Sequence, residues 1–83
     1  MITKDTELTE LFDTACKLAN DIVLSGETFR VKDLFRGVEW DRIPKGLRSK
    51  LGAMFLAYVN SDAKGVFNAA GKTPLNQQIY QKV

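Results

Sequence analysis

The sequence predicts an α+β fold of three helices and a small antiparallel sheet, arranged α-β-α-α-β-β. Three observations lead to it. Residues 6–24 and 44–60 repeat their apolar side chains at the spacing of one helix face. Phe29 and Val31 alternate with Thr28, Arg30 and Lys32, the period of a half-buried strand. Near the end, Gly71-Lys72-Thr73-Pro74-Leu75-Asn76 is a turn between two stretches able to form strands, 66–70 and 77–83.

The first helix runs from about Thr6 to Leu24. Leu8, Leu11, Phe12, Ala15, Leu18, Ala19, Ile22 and Val23 form its apolar stripe. Asp5 or Thr6 is the expected N-cap, and Glu7, Glu10 and Asp13 lie near the positive end of the helix dipole. Ser25-Gly26 is the stop signal. Cys16 lies beside Phe12 and Ala19 on the stripe and reads as a small core residue rather than a reactive thiol. The strand at 27–32 is short, as an edge strand is. Asp33 is placed to cap a short helical piece starting at Leu34, and residues 33–42 read as a short, irregular helix. Its core candidates are Leu34, Phe35, Val38 and Ile43. Trp40, the one tryptophan, reads as an anchor between helices ahead of a stacking platform for a base.

The long helix, 44–60, is the centre of the chain. Pro44 suits the first helical position, where its missing N–H has no partner to lose. Leu47, Leu51, Met54, Phe55, Tyr58 and Val59 make a wide apolar stripe. Beyond Leu51 the other side carries Ala53, Leu56 and Ala57, so the second half is expected to be surrounded by protein. The first half holds Lys45, Arg48, Ser49 and Lys50 away from the stripe.

The totals exclude several classes of function. At 83 residues there is room for one domain, 1–83. One cysteine and no histidine leave the usual zinc ligand sets and nucleophile–histidine pairs unavailable. No pair of acids stands in an apolar pocket pattern, so we expect neither an enzyme nor a cofactor or metal site. No apolar run approaches the roughly 20 residues of a membrane span. With no secretory signal pattern at the N-terminus, the expectation is a cytoplasmic protein. Gly71-Lys72-Thr73 fails as a phosphate loop, because Val66 stands where its first glycine belongs and Pro74 follows at once.

The net charge of +2 conceals an asymmetry: residues 1–29 carry −4, residues 30–50 carry +4 and residues 51–83 carry +2. A local basic face attracts phosphate whatever the total. The element order is that of a winged helix–turn–helix domain, in which a strand between the first two helices joins a terminal hairpin. An isolated hairpin is only marginally stable, and a third strand secures it.

One string of residues carries a resemblance. It comprises Phe29-Arg30-Val31-Lys32-Asp33-Leu34-Phe35, Glu39-Trp40, Ile43-Pro44, Arg48, Leu51-Gly52 and Phe55, then Gly71-Lys72-Thr73, Asn76-Gln77-Gln78 and Tyr80. It resembles a family of short single-domain proteins of unknown function from Gram-positive bacteria and their mobile elements. The resemblance covers residues 28–83, leaves out the acidic first helix and implies no activity or site.

Two functions fit. The first is a small regulatory DNA-binding protein. It would contact duplex DNA through Arg42, Lys45, Arg48, Ser49 and Lys50 near the start of the long helix, and through Lys72, Thr73 and Asn76 at the hairpin tip. Arg48 is the residue able to pair bidentately with guanine, and the lysines suit phosphate. The second is a protein-interaction module, an inhibitor or adaptor of phage or mobile-element type, without DNA affinity. Its candidate surface is the acidic helix 6–24, which also offers a homodimer contact. In either case these charges have a plainer reading as the solvated surface that any soluble helix needs.

Overall fold

The computed structural model describes residues 2–63, 65–75 and 77–83. It contains helices α1 (Leu8–Ile22), α2 (Gly37–Arg42) and α3 (Lys45–Asn60), and strands β1 (Thr28–Phe29), β2 (Phe67–Lys72) and β3 (Gln78–Lys82). A short 3-10 helix, Val31–Leu34, lies between β1 and α2. The chain is thus α+β, with the expected order of helices and strands. The strands form one antiparallel sheet in the order β1-β3-β2, so the last strand is central.

α1 is held at both ends by partners distant in sequence or unforeseen. Its N-cap is Glu7, with no side-chain cap, because the Thr6 hydroxyl accepts from the Thr3 N–H instead. At its C-terminus the Lys82 ammonium donates to the carbonyls of Asn20 and Val23 at 3.0 and 2.8 Å. A cation there meets both the free carbonyls and the negative end of the helix dipole. Gly26 (φ +87°) makes the turn that follows, and its N–H donates to the Lys82 carbonyl at 2.7 Å.

β1 is shorter than the expected strand 27–32. The cause is Asp33, whose carboxylate accepts from the Arg30 backbone N–H at 2.9 Å and from the Arg30 guanidinium at 2.9 and 3.1 Å. These bonds close a turn that draws Val31 out of the sheet direction and into the 3-10 helix. Asp33 therefore caps a piece that begins at Val31, where the sequence reading began it at Leu34. α2 is correspondingly confined to Gly37–Arg42. Leu34, Phe35 and Ile43 are buried as expected, but Val38 is 65% exposed. No α2 residue is fully buried, so Val38 lies on the outer side of a helix only six residues long.

α3 keeps one face in the core through Leu51, Phe55 and Val59. Its second half is less enclosed than its composition suggests, since Ala53 and Ala57 are exposed. Pro44 is the N-cap rather than the first helical residue: its ψ of 145° is extended, and its carbonyl accepts from the Leu47 and Arg48 N–H groups. β2 extends through Lys72, so Lys72 lies in a strand beside Gln78 rather than at the hairpin tip. A bulge between Ala69 and Lys72, with Gly71 at φ +108°, carries the strand that far.

The buried residues make one cluster drawn from α1, α3 and all three strands, with the partly buried Trp40 of α2 packed against it. At its centre are four rings: Phe29 of β1, Phe55 of α3, Phe67 of β2 and Tyr80 of β3. Phe55 and Tyr80 meet edge-on at 5.0 Å between centroids, and Phe29 stands 5.6 Å from Phe67 and 5.7 Å from Tyr80. The Tyr80 hydroxyl is buried without a hydrogen-bond partner among the described residues.

That hydroxyl generates a stability prediction. Burial pushes the Tyr80 pKa up from 10.0 to about 12, so the fold favours the neutral phenol. The associated stability is intact below pH 10, where the unfolded tyrosine is also protonated, and is lost as pH rises toward 12. Its size is roughly 2–3 kcal/mol. Tyr80→Phe should match or exceed the parent at pH 7, by up to about 1 kcal/mol, since it removes an unsatisfied buried group. Urea unfolding at pH 7 and pH 11 checks both: the parent should lose more stability than Tyr80→Phe between the two, and equal losses would contradict the assignment.

Candidate nucleic-acid interface

α3 meets the sheet along a groove of about 560 Å³. One wall is the face of α3 carrying Lys45, Arg48, Ser49, Gly52, Ala53 and Leu56, which recur at helical spacing. The other wall is the hairpin, with Lys72, Gln77, Gln78 and Tyr80. Arg30, Val31, Lys32 and Trp40 close the end. Five cations thus line the groove, and no carboxylate does among the described residues. Gly52 needs no special backbone angle, and a Cβ built there meets nothing within 4 Å. Its missing side chain, with the small Ala53, keeps the α3 wall open.

The cations differ in what already holds them. Arg30 is bound twice by Asp33, and its third nitrogen donates to the side-chain amide oxygen (Oε1) of Gln77 at 3.0 Å. The hydrogen bonds and charge of Asp33 raise the Arg30 pKa further. Partial burial works against the Asp33 charge, but the bonds from the Arg30 side chain and backbone outweigh it and hold the carboxyl below its usual range. Arg30 is therefore a strut between the 3-10 helix and the hairpin. The guanidinium of Arg48 lies over the ring of Trp40, 5.3 Å from its centroid, and its Nε is buried without a partner. Such a stack is worth about 0.5–2 kcal/mol and restrains the side chain. Trp40 in turn leans on Phe35 at 5.9 Å, so it is an anchor between elements, as the sequence suggests, and also the bed of Arg48.

Four of the residues proposed from sequence meet in this groove: Lys45, Arg48, Ser49 and Lys72. Lys50 and Thr73 are outside its lining. Thr73 closes the hairpin loop, its hydroxyl accepting from the Gln77 N–H at 3.1 Å. Arg42 donates to the Ile2 carbonyl at 2.9 Å and straps the N-terminal segment to α2. Asn76 lies outside the described residues. The sequence reading did not single out Lys32, Gln78 or Gly52. Lys32 was hidden by its assignment to a strand, and only the long-range fold places it opposite α3.

On α1, Cys16 is half-buried and its thiol is pushed up to about 11, first by burial and then by the nearby Asp13. Among the described residues there is no cluster of potential metal ligands. No helix among the described residues is long and apolar enough to cross a membrane.

The chain belongs to the family described as a domain of unknown function (DUF1413), which matches residues 14–82. The match starts within α1, so it reaches further back than the resemblance drawn from residues 28–83. No curated protein is significantly similar in sequence. Among solved structures, "SCCmec type IV LP1413 - nucleic acids binding protein" is similar over 100% of this chain and 94% of its own, with a TM-score of 0.68 and 21% sequence identity. At that identity the likeness establishes a shared fold.

The raised thiol pKa predicts a sluggish cysteine. With two units separating about 11 from the ordinary 9.0, the thiolate fraction near pH 8 falls roughly 100-fold. Alkylation of Cys16 by iodoacetamide at pH 8 should be slower than that of the urea-unfolded chain by a comparable factor. Equal rates would show an open thiol.

Proposed function

We propose that this member of the family binds duplex DNA through the groove between α3 and the hairpin, as a winged helix–turn–helix protein acting in regulation in the cytoplasm. The observation that carries the reading is the convergence of Lys32, Lys45, Arg48 and Lys72 on one groove without a lining carboxylate among the described residues. The sequential order α2, a tight turn at Ile43-Pro44 and α3 supports it, since the second helix of such a motif presents its N-terminal half to the major groove. The shared fold with a protein described as nucleic-acid-binding supports it further. In this reading the lysines hold phosphates, and the β2–β3 hairpin is the wing. For the acidic α1 no observation favours a protein partner over solvent.

A salt titration tests the reading. With about three phosphates neutralised, one by each of Lys32, Lys45 and Lys72, the logarithm of the affinity should fall with the logarithm of salt concentration at a slope of roughly −3. Lys45→Glu and Lys72→Glu, both at exposed positions, should each weaken binding at least about tenfold at low salt and flatten that slope by about one or more. Gly52→Leu supplies a steric arm that leaves charge unchanged. It should fold at least as stably, because glycine costs about 1 kcal/mol inside a helix, yet bind more weakly by filling the groove. Fluorescence anisotropy with a labelled duplex reads all three. Salt-independent binding, or affinity untouched by the three substitutions, would remove DNA from this groove and leave an interaction module.

A further inference from the structure

The chain has four arginines, and the fold gives three of them polar partners. Arg30 is held by Asp33 and Gln77, Arg36 faces Glu39 at 3.9 Å, and Arg42 binds the Ile2 carbonyl. The Arg48 side chain has no hydrogen-bond or ion-pair partner among the described residues, although the residue is half-buried and its Nε is sealed from solvent. A partly desolvated guanidinium without an acceptor is costly, and its natural complement comes from outside the chain. The Trp40 ring, 5.3 Å from the guanidinium carbon, restrains the group. With Nε buried, the two terminal nitrogens are the donors left for a partner in the groove that Arg48 lines.

We infer that Arg48 is the residue that reads sequence, donating through both terminal nitrogens to O6 and N7 of a single guanine in the major groove. The inference rests on the duplex-binding reading above and deepens it. A phosphate is equally satisfied by a loose cation, and the groove supplies three ammonium groups, Lys32, Lys45 and Lys72, for that purpose. A guanidinium held beside an aromatic ring offers two donors side by side, the complement of the coplanar acceptor pair of a guanine edge. The two glutamine amides nearby do not compete, since Gln77 receives from Arg30, while Gln78 donates to the carbonyls of Gly71 and Ile79. Gly52 and Ala53, one turn further along α3, leave the edge of a base room to approach.

The experiment is selection from a pool of duplexes with a randomised centre, run with the parent and with Arg48→Lys, followed by anisotropy on the enriched sequences. The parent should enrich one invariant guanine. Replacing that guanine by adenine, or by 7-deazaguanine, should weaken the parent about 10–100-fold. Arg48→Lys keeps the charge but loses the fork. It should bind parent-selected and mismatched duplexes alike, with the salt slope of the parent. Trp40→Leu, which removes the bed and leaves Arg48 in place, should relax the guanine preference in the same direction. Circular dichroism establishes that both variants are folded. An invariant guanine retained by Arg48→Lys, or salt-dependent binding by the parent with no guanine enriched, overturns this inference alone. Absence of salt-dependent duplex binding by the parent overturns the proposed function beneath it.

Discussion

Four rings hold this molecule together. Phe29, Phe67 and Tyr80 come one from each strand, and Phe55 comes from the middle of α3. A strand of two residues cannot secure itself by backbone bonds alone, and β1 stays in the sheet because Phe29 is wedged between Tyr80 and Phe67. The same contacts set the angle of α3 against the sheet. Since the groove is the space between those two bodies, its width is a consequence of how the rings fit. Edge-on aromatic pairs add about 0.5–1.5 kcal/mol each beyond their buried area, which matters in a chain this small.

α3 divides its circumference between two tasks. Leu51, Phe55 and Val59 face the core, whereas Lys45, Arg48, Ser49, Gly52, Ala53 and Leu56 line the groove. The cationic residues sit on the first two turns, and the small ones follow. A similar division applies to the arginines. Those that brace the fold are matched with carboxylates or carbonyls, and Arg48 rests on the indole of Trp40 instead. Bracing and presentation are thus kept on separate side chains.

Much of this was legible in the chain. α1 and α3 were readable because their apolar residues keep helical spacing across more than a dozen positions, and the hairpin because its turn residues punctuate two short runs. Lys45 and Arg48 were readable as cations at the start of a helix, but Arg48, three residues before Leu51 and seven before Phe55, lies beside the core face and is half-buried rather than standing away from it. The rest depended on contacts that local pattern does not encode. Val31 looked like a strand residue by alternation, and one carboxylate, that of Asp33, turned it into a 3-10 helix. Lys72 looked like a tip residue because glycine precedes it, but Gly71 sits in a bulge inside the strand. Arg42 looked like interface charge and is instead tied to Ile2, a contact forty residues away in sequence. Val38 looked like core because an apolar residue in a short helix has too little periodicity around it to reveal its side.

The position of β3 has a bearing on how the chain folds. It is the central strand and the last element, and Lys82 at its end fastens the far terminus of α1. During synthesis the earlier elements therefore emerge without the piece that joins β1 to β2. Until it arrives, Phe29, Phe55 and Phe67 have no Tyr80 to close over them. The sheet thus closes only once β3 has joined β1 and β2, and a chain still lacking that strand leaves apolar rings uncovered.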